Sequence, residues 1–130
     1  TAGTIVVSAE IGGFTEESSV TIAPSPVSFV VAATKHGTSL EVDLRGFDNT
    51  HSAGALSFTF FDRNGNAVHP GATRVDAGSD FRRHFEASSV GGSFSLKATF
   101  PVAGGTTDIR GVEVEMTNSA GAARSQRLEF

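Results

Sequence analysis

Apolar side chains recur at every second position in stretch after stretch of this chain, and no other feature narrows its fold so far. Val27, Phe29, Val31 and Ala33 form one such series, and Leu40, Val42 and Leu44 the next. Leu56, Phe58 and Phe60 follow, then Phe94, Leu96, Ala98 and Phe100, then Val112, Val114 and Met116, with Leu128 and Phe130 at the end. Polar residues fill the intervening places: Glu41, Asp43 and Arg45; Ser95, Lys97 and Thr99; Glu113 and Glu115. A period of two puts neighbouring side chains on opposite faces of an extended backbone. Each series therefore reads as a strand with one face for a core and one for water. Fifteen glycines punctuate the series. Short alternating strands separated by glycine turns predict an antiparallel β-sandwich of seven or eight strands.

The first stretch has the same rhythm but a different setting. Thr4 to Ile11 alternates, Gly12-Gly13 supplies the positive φ of a tight turn, and Glu17 to Ile22 returns. Ala23-Pro24-Ser25-Pro26 then interrupts the pattern, because proline lacks an N–H and biases its predecessor to extended geometry. This divides the chain into an N-terminal hairpin over 1–23, a linker over 24–26 and a sandwich over 27–130. Thr1 reads as the start of a mature or excised segment. One stretch departs from period two. Phe81 and Phe85 are four apart in "SDFRRHFEASS", residues 79–89, with Ser79 placed to cap and Asp80 suited to a helix N-terminus. A short helix crossing between the sheets, anchored by both rings, is expected there.

Composition removes several functions. The net charge is −4 with acids and bases interspersed, so no basic stripe exists for nucleic acid. No run of eighteen apolar residues is present to form a membrane-spanning helix. The chain has no cysteine, hence no disulfide, thiolate metal site or cysteine nucleophile. It has no Asn-x-Ser/Thr acceptor either. Neither Trp nor Tyr is present, which leaves eleven Phe as the aromatic content and argues against a flat sugar platform.

The motifs that suggest chemistry have plainer readings. Asp62, Asn64 and Asn66 in "FDRNGNAV" are spaced like the front of a calcium loop. The twelfth place is Thr73 and the sixth is Ala67, so the stretch reads as a hairpin turn with Asn64-Gly65 at positive φ. His36, His51, His69 and His84 show no metal-ligand spacing, although His84 is placed for partial burial and a hydrogen bond. "VGGS" and "AGGTT" precede no helix that would cradle phosphate, and Ser93 sits at a strand start. Glu113 and Glu115 share an outward face, where solvated charge is ordinary. No acid–base or nucleophile set assembles, and neither an enzyme nor a cofactor is expected.

Phe14, Phe47 and Phe61 resist placement inside. Phe14 follows the Gly-Gly turn, and Phe61 stands opposite Phe60 in phase. Exposed rings mark interfaces. Together with the apolar positions of the first strand they give the interface candidates Ile5, Val7, Ile11, Phe14 and Phe61.

"AGTIVVSAEIGG…TI" resembles the final hairpin of bacterial Ig-like domains, the tandem modules of secreted and surface proteins. "LEVDLRGFDNT", "LSFTFFDRNGNAV", "FRRHFEASSVGGSFSLKATFPV" and "VEVEMTNSAGAARSQRLEF" resemble an Ig-like module of the kind that closes large secreted bacterial proteins. The resemblance implies an all-β, antiparallel Ig-like sandwich at the cell surface or outside the cell, and supplies no catalytic residue. The function it implies is that of a spacer, adhesion or assembly unit. Its partners would be neighbouring Ig-like modules or identical subunits, met through strand edges. The alternative is a module binding carbohydrate or another surface ligand. Whether the hairpin is the tail of a preceding module or a pairing arm, and whether it packs on its own domain or reaches another chain or module, stays open at this level.

Overall fold

A computed structural model describes residues 2–68, 71–89 and 91–130, and the side chains of residues 5, 7, 11, 18 and 20 lie outside the description. The fold is all-β and antiparallel, with one short helix. A hairpin comes first: β1 (Gly3–Ile11) and β2 (Phe14–Ile22), closed by Gly12 at φ 58° and Gly13 at φ 86°. The second strand starts three residues earlier than the sequence pattern implied, because the two-glycine turn brings Phe14 directly opposite Ile11. The pairing then runs without a break to Gly3 opposite Ile22.

Two sheets form the body. β3 (Ser28–Lys35), β4 (Ser39–Phe47) and β7 (Ser93–Pro101) make the first, with β4 central. In the second, β8 (Gly111–Asn118) pairs with β5 (Ala55–Phe61), and β5 pairs with the short β6 (Thr73–Asp76). The other edge of β8 is shared. β9 (Gly121–Arg124) covers its C-terminal half and β10 (Leu128–Glu129) its N-terminal end. The last strand expected from the sequence, ending on Leu128 and Phe130, is therefore two short strands rather than one. Between them the Ser125 hydroxyl accepts the Val114 N–H at 2.9 Å and the Ser125 N–H donates to the Val114 carbonyl at 2.8 Å, which keeps the ladder satisfied across the break.

The alternation decides which side chains meet between the sheets. Leu40, Val42 and Leu44 of β4 face Leu56 and Phe58 of β5 and Val112, Val114 and Met116 of β8, all essentially out of contact with water. The edge of the Phe58 ring meets the Phe100 ring at 4.8 Å, joining β5 to β7 across the interior. Phe29, Val31, Phe60, Leu96, Ala98 and Leu128 complete the core from partly buried positions.

α1 (Gly78–Ala87) carries the chain from β6 in one sheet to β7 in the other, with Phe81 and Phe85 buried beneath it. Phe81 meets Phe94 edge-on at 5.1 Å. Ser79 is not its cap. The helix starts earlier, behind Ala77, and Asp76 Oδ1 accepts the Gly78 N–H at 3.0 Å, an acceptor placed just ahead of the first turn.

Candidate functional site

The two ends of the sandwich are built from different chemistry. The first end lies where β4 leaves for β5. Asp48 is fully buried there, and its carboxylate is saturated with donors. Oδ1 accepts from the Thr50 N–H at 2.9 Å, the Thr50 hydroxyl at 2.7 Å and the Asn118 side-chain amide at 2.9 Å. Oδ2 accepts from the Ser52 N–H at 2.9 Å and the Ala53 N–H at 2.7 Å. Burial pushes this carboxyl up. The bonds from the Thr50 hydroxyl, from Asn118 and from the backbone of Thr50 and Ala53 outweigh that push and hold it below the ordinary carboxylate value. The loop curls tightly enough that His51 takes φ 53° and stacks on Phe85 at 5.0 Å. Gly92 passes against it so closely that a Cβ there would stand 2.1 Å from the Asp48 carbonyl oxygen, so only glycine fits.

This rigid loop grips the linker. Asn49 Nδ2 donates to the Ala23 carbonyl at 2.9 Å, and its Oδ1 accepts the Ser25 N–H at 3.1 Å. Asn118 donates to the Ser25 carbonyl at 2.8 Å, and the Ala2 N–H donates to the Asn49 carbonyl. Beyond this clamp the hairpin stands in water. Every described side chain from Gly3 to Thr21 is exposed, Phe14 at 79%. Both edges of β1 and β2 that face away from each other lack a ladder partner among the described residues.

The second end lies where β5 stops and β8 begins. Phe61, Asp62, Arg63, Arg110, Arg127 and Phe130 surround a cavity of about 360 Å³ together with Gly65, Gly111 and Glu129. The Arg127 guanidinium lies over the Phe61 ring, 3.5 Å from its centroid, and Lys35 stands 5.3 Å from the Phe130 ring. Arg63 reaches Asp108 at 3.5 Å with both side chains largely in solvent. Among the described residues neither Arg110 nor Arg127 has a carboxylate within ion-pair distance. The Asp62 turn builds the rim. Asp62 Oδ1 accepts from the Asn64 and Asn66 N–H groups at 2.8 and 3.0 Å, so it closes a turn rather than facing a cation. Gly65 alone has positive φ, at 80°; Asn64 does not, because the Asp62 carboxylate shapes the first half of the turn.

The residues singled out from sequence are dispersed over this frame. Ile5, Val7 and Ile11 lie in β1, opposite Val20, Ser18 and Phe14, and their side chains are outside the described residues. Phe14 is at the hairpin tip, beyond the clamp. Phe61 is at the other end of the sandwich, half-buried under Arg127. Within one chain the structure pairs Ile11 with Phe14 across the turn and leaves Phe61 at the other end of the sandwich. Phe47, the third unplaced ring, is 44% exposed. His84 is hydrogen-bonded, its Nε2–H donating to the Ser93 carbonyl at 2.8 Å, although the residue is exposed. His69 lies outside the described residues. Glu113 and Glu115 are not freely solvated, because Arg124 bridges them at 3.4 and 2.9 Å.

Sequence reasoning missed Asp48, Asn49, Asn118 and the three arginines. Asp48-x-Thr50 is an Asx-turn signal that was open to reading. The arginines are scattered over 63–127 and carry no local signal. Set against known proteins, the chain matches no family model, no curated protein and no solved structure.

Proposed function

We propose that the chain is a non-catalytic, extracellular Ig-like module that joins a neighbouring module or subunit through its N-terminal hairpin. One observation carries the reading: a regular two-stranded ribbon held at its base by Asn49 and Asn118 while its described side chains, Phe14 included, stay in water. An isolated two-stranded ribbon buries too little to be stable alone and presents unpaired backbone groups on both edges. A ribbon of this form is completed by another sheet, either as the closing hairpin of an adjoining module or by strand addition between subunits. The extracellular assignment follows from the resemblance of the sequence to secreted bacterial modules.

Light scattering after size exclusion, over a range of concentrations, tests this on residues 1–130 and 24–130. Oligomers that vanish with the hairpin support the joining role. A strict monomer in both cases overturns strand addition between subunits and leaves only the closing hairpin of an adjoining module.

A further inference from the structure

We propose that the hairpin tip of one copy docks in the arginine-lined cavity of a second copy, giving head-to-tail association. This rests on the joining role above and names its partner and its seat.

Charge is the first argument. The hairpin carries Glu10, Glu16 and Glu17 and no base, and all ten Lys and Arg of the chain come after residue 34. The three acids occupy adjacent rungs at the tip: Glu10 opposite Thr15, Glu16 opposite Ala9, Glu17 opposite Ser8. Glu10 and Glu17 fall on one face of the ribbon and Glu16 on the other with Phe14, so the tip is anionic on both faces and ends in the exposed Phe14 ring. The cavity has the opposite character. Arg63, Arg110 and Arg127 line it, the last two have no carboxylate partner among the described residues, and Lys35 stands nearby over Phe130. Asp62 and Glu129 also line it, so three guanidinium groups against two carboxylates leave a small positive excess, with Asp62 Oδ1 turned to two backbone N–H groups.

Shape is the second argument. A cavity of about 360 Å³ with Phe61 and Phe130 in its wall admits one aromatic side chain with carboxylates on guanidinium groups around it. Position is the third. β5 runs from Ala55, beside the clamp, to Phe61 at the cavity, and β8 returns from Gly111 to Asn118. Clamp and cavity therefore sit at opposite ends of the body, and the Phe14 ring at the tip, 79% exposed, does not fill the cavity of its own chain. Surfaces that are complementary but distinct make a heterologous contact, which propagates into a ring or a filament.

Sedimentation velocity on residues 1–130 at low and high salt provides the test, beside Glu10/Glu16/Glu17→Lys and Arg110/Arg127→Glu variants. Concentration-dependent association is expected to weaken by about tenfold or more in either variant and to fall as salt rises. Mixing the two variants in equal amounts is expected to recover association, since reversed charges again face each other. Circular dichroism melts confirm that both variants fold; these residues are exposed, and Arg127→Gln serves as a milder change if the double reversal does not. Oligomers that survive the cavity variant yet disappear on deleting the hairpin overturn the docking and leave the joining role standing. Loss in the cavity variant alone assigns the cavity to another occupant and overturns the pairing. A monomer under all conditions overturns the docking and the joining of subunits alike.

Discussion

The hairpin and the central pair β4–β7 have ladders of the same length and regularity, nine rungs each, but very different surroundings. In β4, Leu40, Val42 and Leu44 are sealed between two sheets; in the hairpin every described side chain from Gly3 to Thr21 is exposed. The difference separates two things that are often merged. Backbone pairing and turn chemistry set register, while burial of an apolar face sets stability. The hairpin has the first without the second. Its hold on the body, among the described residues, is the clamp at its base.

Substitutions at four positions would break or sharpen that contrast. Phe58→Ala removes a ring from the middle of the core and is expected to cost about 3 to 5 kcal/mol, read from denaturant unfolding. A cost near zero would mean that the sandwich is no better packed than the hairpin.

Asp48→Ala strands several buried donors at once and is expected to cost about 3 kcal/mol. The pH dependence has a definite sign. The folded-state pKa of Asp48 is depressed, so its contribution is fully present above the ordinary aspartate value and is lost as the pH falls through the folded value. The stability gap between wild type and Asp48→Asn should be widest near neutrality and close below about pH 4. Thermal melts from pH 7 to pH 2 check this; a gap that widens in acid contradicts it.

Asn49→Ala removes two hydrogen bonds to the linker and should cost about 1 to 2 kcal/mol locally. The readout is amide hydrogen exchange. The Ser25 amide should exchange faster while those of β4 and β8 keep their protection. Equal loosening of both regions would mean that clamp and core form one cooperative unit. The smallest effect belongs to Phe14→Ser, whose ring is exposed; it should move the stability of the isolated chain by less than about 0.5 kcal/mol. A larger loss would show that the tip packs on something within its own chain.

The strands of the body were readable because half-burial leaves a period of two in the sequence, and Leu40, Phe58, Val114 and Met116 all face where their phase requires. The helix was readable from two phenylalanines four apart, since both rings need the same face. β6 was not, because in four residues only Val75 is apolar and that side chain is itself partly exposed. The split between β9 and β10 was hidden too, because it depends on the Ser125 hydroxyl standing in for a backbone acceptor. Of the interface candidates, Phe14 was singled out by its place beside the Gly-Gly turn and Phe61 by its phase against Phe60; the first ring is exposed and the second half-buried.

What the sequence determined by itself is local: which faces are apolar, where glycine turns the chain, and where two prolines divide a hairpin from a sandwich. These follow from steric and periodic rules that act over a few residues. Only the tertiary structure decided that Asp48, Asn49 and Asn118 converge on the linker and that Arg63, Arg110 and Arg127 meet around Phe61. Such groups are brought together by sheet pairing between segments distant in sequence, and a polar residue at a loop or strand end looks the same from its neighbours whether it meets solvent or a partner seventy residues away.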